Sequence, residues 1–314
     1  MYQLKKEIVK SISCMKLYLF ILSVLLLQAC GNSSSSSKNE ANFEYAKIVI
    51  DDSFKKLLTT SIDTYESQYP KAKFIPKFNS EDTAIQLLMN NKKVKTIVIS
   101  RELSKRELYI LKTKDIEVRS DKIATDGIAI IVHPSNPDSV FTVDDIKKML
   151  LGKKSTWKNG NKIQVVFDKP YSANFNYLKK LCNNGPIENN VTALKSNEEV
   201  IKFIKENPNS LGVIGVNWIS DQHDFDTKYF LKGIRVASLA KDKNSIAFQP
   251  YAGVLYTKEY PLTRDIWMIN YAPRSSVNSS LINFMLREPG QLIVQQSSLV
   301  PANAPVRLIE IRTE

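Results

Sequence analysis

Four short segments of the chain combine side-chain hydroxyls with charged residues, and each follows a predicted strand. They are residues 51–54, 79–83, 100–101 and 168–174, named loops 1 to 4 in chain order. In an open α/β sheet, ligands bind outside the carboxyl ends of the strands, where helix N-termini present unpaired backbone N–H groups. We therefore expect these four loops to line a ligand site.

The elements that position the loops alternate between strands and helices, which predicts an α/β fold with largely parallel strands. The predicted strands are 47–50, 73–78, 94–99, 116–123, 163–167, 211–214 and 234–239. The predicted helices are 53–69, 83–90, 104–112, 172–182, 197–206, 276–286 and 291–296.

Residues 125–160 organise the middle of the chain. Asp126-Gly127 predicts a turn, and the apolar run 128–132 predicts a buried strand. Thr142 supplies a helix N-cap, with Asp144 and Asp145 in the first turn. We expect that helix to end at Gly152.

This stretch resembles the phosphate-binding (PstS-like) periplasmic binding proteins, because strand, His-Pro-Ser-Asn-Pro turn, helix and Trp follow in the family's order. Similar segments recur at 100–103 (SREL), 211–215 (LGVIG), 260–264 (YPLTR), 288–291 (EPGQ) and 300–301 (VP). The resemblance covers about residues 45–314. It implies a two-domain, periplasmic-binding-protein-like (type II) α/β fold, with domain 1 over 45–127 and 262–314, domain 2 over 128–261, and crossing segments near 125–132 and 260–270.

The same resemblance implies that the four loops bind a small-molecule anion such as phosphate, through hydroxyl and backbone donors. The candidate ligand-binding residues are Ser53, Phe54, Ser80, Ser100, Arg101, Ser172 and Asn174. No catalytic residue, metal or cofactor is expected. The chain carries no ATP-binding motif, so an ABC permease with its own energy source is an expected partner.

The loops depart from the family in their charge. Asp168 stands where the family has an arginine that pairs with the anion, and Glu81 and Asp82 stand where it has glycine and serine. Loop 1 adds Asp51 and Asp52. At about 5 Å and an effective dielectric near 20, each like-charge pair with a phosphate costs on the order of 3 kcal/mol. We therefore predict weak or undetectable phosphate binding.

Two interpretations of this departure compete. The chain is a solute-binding lipoprotein that still takes phosphate or another oxyanion, with Asp52 and Asp82 turned away to cap helices. Alternatively, its cleft has an altered or lost specificity, for a cationic or zwitterionic ligand or for none, and the protein acts through contacts in the cell envelope. An enzyme is disfavoured, because His133 belongs to the strand-to-turn motif and His223 lies among aspartates in a polar loop, where solvation is commoner than a metal site.

The N-terminus is typical of a bacterial lipoprotein. Lys16 precedes an apolar run at 17–27, which is too short to span a bilayer, and Leu-Gln-Ala-Cys-Gly at 27–31 resembles a lipobox. We expect a signal peptide over 1–29, with Met15 as an alternative start, lipidation of Cys30 and a serine-rich tether over 30–44. This predicts an extracytoplasmic protein anchored to a membrane of the cell envelope.

Charge and cysteine content agree with that location. The formal charge of +12 falls to +9 when four lysines and one glutamate leave with the signal peptide. The basic residues are dispersed, which favours a solvated surface or attraction to anionic lipid over nucleic-acid binding. Of the three cysteines, only Cys182 remains in the predicted domains, so no disulfide is expected there.

Overall fold

The computed structural model of the protein describes residues 44–220 and 231–303, all within one compact unit. The predicted signal peptide, Cys30 and the loop around His223 lie outside the described residues. Within the described part of the chain, no helix combines the length and apolar character needed to cross a membrane.

The described strands are β1 (Glu44–Asp51), β2 (Ala72–Asn79), β3 (Thr96–Ile99), β4 (Arg119–Val132), β5 (Val140–Thr142), β6 (Gln164–Phe167), β7 (Val191–Ala193), β8 (Ser210–Gly215), β9 (Arg235–Val236), β10 (Ser238–Ala240), β11 (Thr263–Asn270) and β12 (Val300–Pro301). The helices are α1 (Lys55–Gln68), α2 (Glu81–Asn90), α3 (Lys105–Lys112), α4 (Val143–Leu150), α5 (Ala173–Leu181), α6 (Asn197–Glu206), α7 (Ala252–Tyr256), α8 (Val277–Leu286) and α9 (Glu288–Gln296). The predicted α/β class is confirmed.

Ten strands form one sheet in the order β2-β1-β3-β11-β4-β8-β6-β7, with β9 and β12 also paired to β4, and β5 and β10 form a separate two-stranded sheet. The β1, β2 and β3 strands are parallel, as are β6, β7 and β8, whereas β11 is antiparallel to both neighbours. Because β4 pairs with β11 through its first part and with β8 through its last, it joins the two halves of the sheet. The carboxyl ends of β1, β3 and β6 carry loops 1, 3 and 4.

Local sequence signals explain where the helices begin. A serine or threonine hydroxyl accepts a hydrogen bond from a first-turn N–H at the start of six helices, α2, α3, α4, α5, α6 and α8. Thr142 is the N-cap of α4, as the sequence predicts, and it also forms a reciprocal capping box with Asp145. In β1 the side chains alternate, so that Ile48 and Ile50 pack in one core cluster and Val49 in another.

The turn predicted at Asp126-Gly127 is wrong, because both residues lie inside the continuous strand β4. Asp126 is opposite Arg264 of β11, and that guanidinium binds its carboxylate at 2.9 Å, so a charged residue is stable within the sheet. Gly127 is required by packing: an added Cβ would lie 2.8 Å from Cδ2 of Leu255. The glycine permits a close approach and does not mark a reversal.

Short elements account for the other differences. The strand predicted over 234–239 is divided into β9 and β10, which pair with different partners, β4 and β5. The β5 and β7 strands and the α7 helix, of three to five residues each, are not predicted from the sequence. Segments this short contain too few residues to show a periodic pattern of hydrophobic side chains.

Gly290 explains the Glu-Pro-Gly-Gln segment and generates a prediction. An added Cβ would lie 2.3 Å from Cα of Met285 and 2.5 Å from the Phe284 carbonyl oxygen, so α9 starts in backbone contact with the end of α8. We expect Gly290→Ala to lower the free energy of unfolding by about 2 kcal/mol in urea titrations. Gly253→Ala, where nothing lies within 4 Å of the added carbon, is the control and should be neutral or slightly stabilising. Equal effects of the two substitutions would contradict this interpretation of the packing.

Candidate functional site

The four loops meet at the carboxyl ends of the strands, and buried carboxylates lie where they meet. Asp51, Glu81 and Asp168 are each fully buried, although each comes from a different loop. We call them the cleft carboxylates. The hydrogen bonds that they accept determine what the site can bind.

Loop 1 is organised by Asp51. One oxygen of its carboxylate accepts a hydrogen bond of 2.9 Å from the backbone N–H of Ser53 and caps the 3-10 turn Asp52–Phe54. The Ser53 hydroxyl is turned toward loop 4 and donates to Oδ2 of Asp168 at 3.4 Å. Phe54 is buried in the core with its ring 4.8 Å from the guanidinium carbon of Arg264, so it supports the site from below.

Loop 4 is organised by Asp168, which accepts four hydrogen bonds from side chains. Ser172, the N-cap of α5, donates its hydroxyl proton to Oδ1 at 2.5 Å. The amides of Asn174 and Asn197 donate to Oδ2 at 3.1 and 3.2 Å, beside the Ser53 hydroxyl. Two predicted site residues of this loop, Ser172 and Asn174, thus lie together with Ser53, and all three bind a carboxylate of the chain itself.

Asp51 also joins the two halves of the fold. Its second oxygen accepts a hydrogen bond of 3.0 Å from the backbone N–H of Ala173, the first residue of α5. A helix N-terminus of this kind is a general site for anions. In this protein a side chain from the opposite loop occupies it.

Loops 2 and 3 meet through Glu81. Its Oε2 accepts hydrogen bonds from both the backbone N–H and the hydroxyl of Ser100, at 2.8 and 2.6 Å. The Arg101 Nε lies 3.6 Å from the other oxygen, but the fork of its guanidinium binds Glu107 at 2.8 and 2.9 Å. Ser80 serves as the N-cap of α2. Ser100 and Arg101 are therefore together, and both are already bonded to carboxylates.

Outer contacts close the cleft from side to side. Asn176 of α5 donates to Glu81 at 3.2 Å and to Asp82 at 2.9 Å, and the Asp82 N–H donates to the Tyr171 carbonyl at 3.3 Å. The ion pairs Lys55–Glu198 and Lys169–Asp52 span 2.7 and 3.1 Å. The helix-capping roles expected for Asp52 and Asp82 are wrong, because Asp51 and Ser80 are the caps and both aspartates bind across the cleft.

Beneath the loops, a buried ion pair joins the crossing strands β4 and β11. Arg264 binds Asp126 through Nε at 3.2 Å and Nη2 at 2.9 Å. Asn217 donates its amide to the Ser53 carbonyl at 2.7 Å, and the Trp218 indole donates to the same oxygen at 3.0 Å. The structure thus fixes loop 1 by its backbone to the segment that follows β8.

Sequence reasoning missed several of these partners: Asp126, Asn176, Asn197, Asn217 and Arg264. The acidic residues of the loops were the sequence signal that could have pointed to these partners, because buried carboxylates require hydrogen-bond donors. Asparagine amides supply some of them, at Asp168 and Glu81, beside hydroxyls and backbone N–H groups. Nothing in the local spacing of those asparagines distinguishes them from surface residues.

Burial and mutual repulsion raise the pKa values of the central carboxylates. Burial, followed by the charges of Asp168 and Glu81, raises the pKa of Asp51 to about 7. Burial raises the pKa of Asp168 to about 6, although hydrogen bonds from Ser172 and Asn197 oppose the shift. Burial also raises the pKa of Asp126, against the effect of Arg264. Near neutral pH the site therefore holds protons that exposed aspartates would have lost.

In the described part of the chain, no cluster of three or more His, Cys, Asp or Glu side chains is arranged to hold a metal ion. The acidic loop around His223, considered as a metal site from the sequence, lies outside the described residues. What the site can do chemically is hold carboxylates, hydroxyls and amides in a dense hydrogen-bond network.

Comparisons with known proteins place this geometry in context. A family model described as a PBP superfamily domain matches residues 35–288. The phosphate-binding protein PstS of Staphylococcus aureus (strain USA300) is 24% identical over 205 residues, or 61% of this chain and 59% of that protein. The match thus spans less than two thirds of the length of that curated relative.

Two solved structures share the fold. An ABC-type phosphate transport receptor from Vibrio cholerae has a TM-score of 0.62 at 17% identity, covering 81% of this chain and 99% of that one. A phosphate-binding protein from Stenotrophomonas maltophilia has a TM-score of 0.63 at 12% identity, covering 82% and 90%. These likenesses confirm the architecture that the sequence resemblance implies.

The raised pKa values of Asp51 and Asp168 predict how stability depends on pH. Their folded-state pKa values of about 7 and about 6 exceed the ordinary value of 3.8, so the folded protein retains protons that the unfolded chain releases. This stabilising contribution is complete below the ordinary pKa and is lost as the pH rises toward 7. Urea unfolding across that range should show Asp51→Asn losing less stability with rising pH than the wild type. The exposed Asp63→Asn is the control, and an unchanged slope in Asp51→Asn would contradict the assignment.

Proposed function

We propose, from the premise that the chain belongs to the PBP superfamily, that it is an extracytoplasmic, lipid-anchored binding protein of the PstS-like type whose specificity departs from phosphate. The cleft carboxylates hold its two halves together in the absence of a bound anion. The protein then either contacts another component of the cell envelope or binds a solute that offers positive charge or hydrogen-bond donors to these acids.

The observation that carries this proposal is that the donors suited to an oxyanion are already used. The backbone N–H groups of Ser53 and Ala173 bind Asp51, and both donors of Ser100 bind Glu81. The hydroxyl of Ser172 binds Asp168. A phosphate could reach these groups only by displacing carboxylates that are themselves fully buried.

Electrostatics add to this competition. A dianion placed among the cleft carboxylates meets repulsion of about 6 to 7 kcal/mol for each ionised acid near 5 Å, at an effective dielectric near 20. Arg101 is the nearest cation of the predicted set, and its guanidinium fork is occupied by Glu107. Arg264, whose charge acts on Asp168, is paired with Asp126, and Lys55 and Lys169 are paired with Glu198 and Asp52. These cations are thus already paired with carboxylates of the chain, which leaves little positive charge to neutralise a buried phosphate.

The proposed cellular location rests on the N-terminal segment and on the relatives. Those relatives are named as phosphate-binding and phosphate transport proteins, a class that works outside the cytoplasm. The lipobox-like segment ending at Cys30 adds membrane anchorage. We further propose that residues 45–127 with 262–314 and residues 128–261 act as two domains that hinge at β4 and β11.

The site supports binding without catalysis. Ser53 and Ser172 donate their hydroxyl protons to Asp168, and that contact does not create the serine–histidine pair of a nucleophilic enzyme. His133 is bonded to Ser135 in a surface turn, at 2.7 Å. A non-enzymatic role is therefore part of the proposal.

Phosphate uptake through an ABC permease is the second candidate. The raised pKa values of Asp51 and Asp168 favour it, because a protonated carboxyl can donate a hydrogen bond to a phosphate oxygen. The relatives' names point the same way. The two candidates differ in whether the wild-type cleft opens to phosphate at all.

Calorimetry with inorganic phosphate separates them. We expect no submicromolar binding by the wild type at neutral pH. The double variant Asp51→Ser, Glu81→Ser frees the donors of Ser53, Ala173 and Ser100 and should bind at least tenfold more tightly, since charge-assisted hydrogen bonds contribute about 1.5 to 3 kcal/mol each. The matched control Asp144→Ser, Glu206→Ser removes two carboxylates that pair with lysines at the surface. Submicromolar binding by the wild type would favour phosphate uptake and overturn the proposal.

The lipid anchor is tested separately. We expect metabolic labelling with a radioactive fatty acid to mark the wild type and not Cys30→Ser, because the thiol is the acylated group. The variant should also retain its signal peptide. Cys14→Ser is the matched control and should be labelled normally. Persistent labelling of Cys30→Ser would rule out lipid anchorage at Cys30.

A further inference from the structure

The end of the fold opposite the cleft carries a basic surface. Five lysines surround the amino ends of β1 and β3 and the entry to β4: Lys47, Lys92, Lys93, Lys95 and Lys114. We call this group the lysine base. All but the half-buried Lys47 are exposed.

Two adjoining surface pockets connect these lysines. One, of about 460 Å³, is lined by Lys47, Lys92, Lys93 and Lys95. The other, of about 670 Å³, is lined by Lys92, Lys95 and Lys114. Because Lys92 and Lys95 border both, the five ammonium groups belong to one continuous surface.

The lysine base is distinguished by how closely its members are clustered. Five lysines line two adjoining pockets, and among residues 44–220 and 231–303 none of the five forms a salt bridge with a carboxylate. Lys114 donates instead to neutral oxygens, the Met89 carbonyl and the Asn90 side chain, and so keeps its net charge. Asp115 and Glu117 follow Lys114 in the chain, and the surface keeps a positive surplus beside them. Unneutralised charge of this kind is suited to an anionic partner.

Aromatic groups accompany the lysines. Tyr271 lines the larger pocket with its ring, and its hydroxyl is buried without a hydrogen-bond partner in the described part of the chain. Tyr45 lines the smaller pocket and is 66% exposed. Tyrosine beside lysine is typical of surfaces that meet the headgroup region of a bilayer, where a ring contacts apolar atoms and its hydroxyl stays polar.

The path of the chain indicates which anionic surface is nearest. The strand β1 begins at Glu44 on this face, and 13 residues of the predicted tether separate it from Cys30. A flexible segment of that length has a root-mean-square span of about 20 Å. A lipid on Cys30 would therefore keep the lysine base, more than the opposite end, close to the membrane.

We propose that the lysine base is a docking surface for the anionic headgroups of the bilayer in which the protein is anchored. The proposal rests on the anchorage at Cys30 put forward above. Because the cleft lies at the carboxyl ends of the same strands, about 25 Å away along β1, docking turns the cleft away from the membrane. The cleft is then presented to a partner on the far side.

Vesicle sedimentation tests the surface without relying on the lipid. The mature chain from residue 30 with Cys30→Ser should bind phosphatidylcholine vesicles containing one third phosphatidylglycerol, bind phosphatidylcholine alone weakly, and dissociate as salt is raised. The variant Lys92→Gln, Lys93→Gln, Lys95→Gln, Lys114→Gln should lose about 600-fold in binding, at about fivefold for each of the four charges. The matched control replaces the exposed Lys162, Lys195, Lys241 and Lys243 with glutamine and should lose less than about fivefold.

Each outcome decides the question. Equal losses in the two variants would show attraction by net charge alone and overturn the docking surface, as would unchanged binding in the lysine-base variant. Binding to heparin that depends on the lysine base, without vesicle binding, would assign the surface to a soluble polyanion instead and overturn the lipid proposal. Should fatty-acid labelling fail while vesicle binding follows the expected pattern, the anchorage is wrong and the docking surface stands.

Discussion

A buried carboxylate must either receive hydrogen bonds or take up a proton, and that requirement shapes the cleft of this protein. Asp51 and Asp168 are wholly buried and accept bonds from groups on opposite loops, the Ala173 N–H and the Ser53 hydroxyl. Opening the cleft would deprive both acids of these partners. In the proposed function, these two acids hold the sides of the cleft together in place of a bound anion.

The layer below the loops is built to keep this arrangement fixed. Arg264 and Asp126 join β11 to β4 through a fully buried pair, and Phe54 lies against the guanidinium. Gly215 makes the pair possible, because an added Cβ would lie 3.0 Å from Nη2 of Arg264 and 2.8 Å from the Asn217 amide. Removing one partner of such a pair costs roughly 3 to 5 kcal/mol, since the other charge stays buried. The pair therefore fixes β4 and β11 to each other beneath the loops.

Much of the fold follows from the sequence, because serine and threonine caps and apolar periodicity are local properties. The strand after β3 shows the limit of that approach: Asp126-Gly127 has the composition of a turn, yet Arg264, 138 residues away, makes it part of β4. The site has the same limit. Ser53, Ser172 and Asn174 were expected to lie together and do so, but the role of Asn197 and Asn217 depends on long-range contacts that no local pattern contains.

The most direct measurement is the distance across the cleft in protein freed of phosphate. Spin labels at Glu102→Cys and Lys195→Cys, two exposed positions in loops on the predicted domains 1 and 2, report whether the halves are closed. If the cleft carboxylates hold the structure together, double electron–electron resonance should give one narrow distance distribution that added phosphate leaves unchanged. A longer or broader distribution that contracts when phosphate is added would contradict a cleft closed by its own acids.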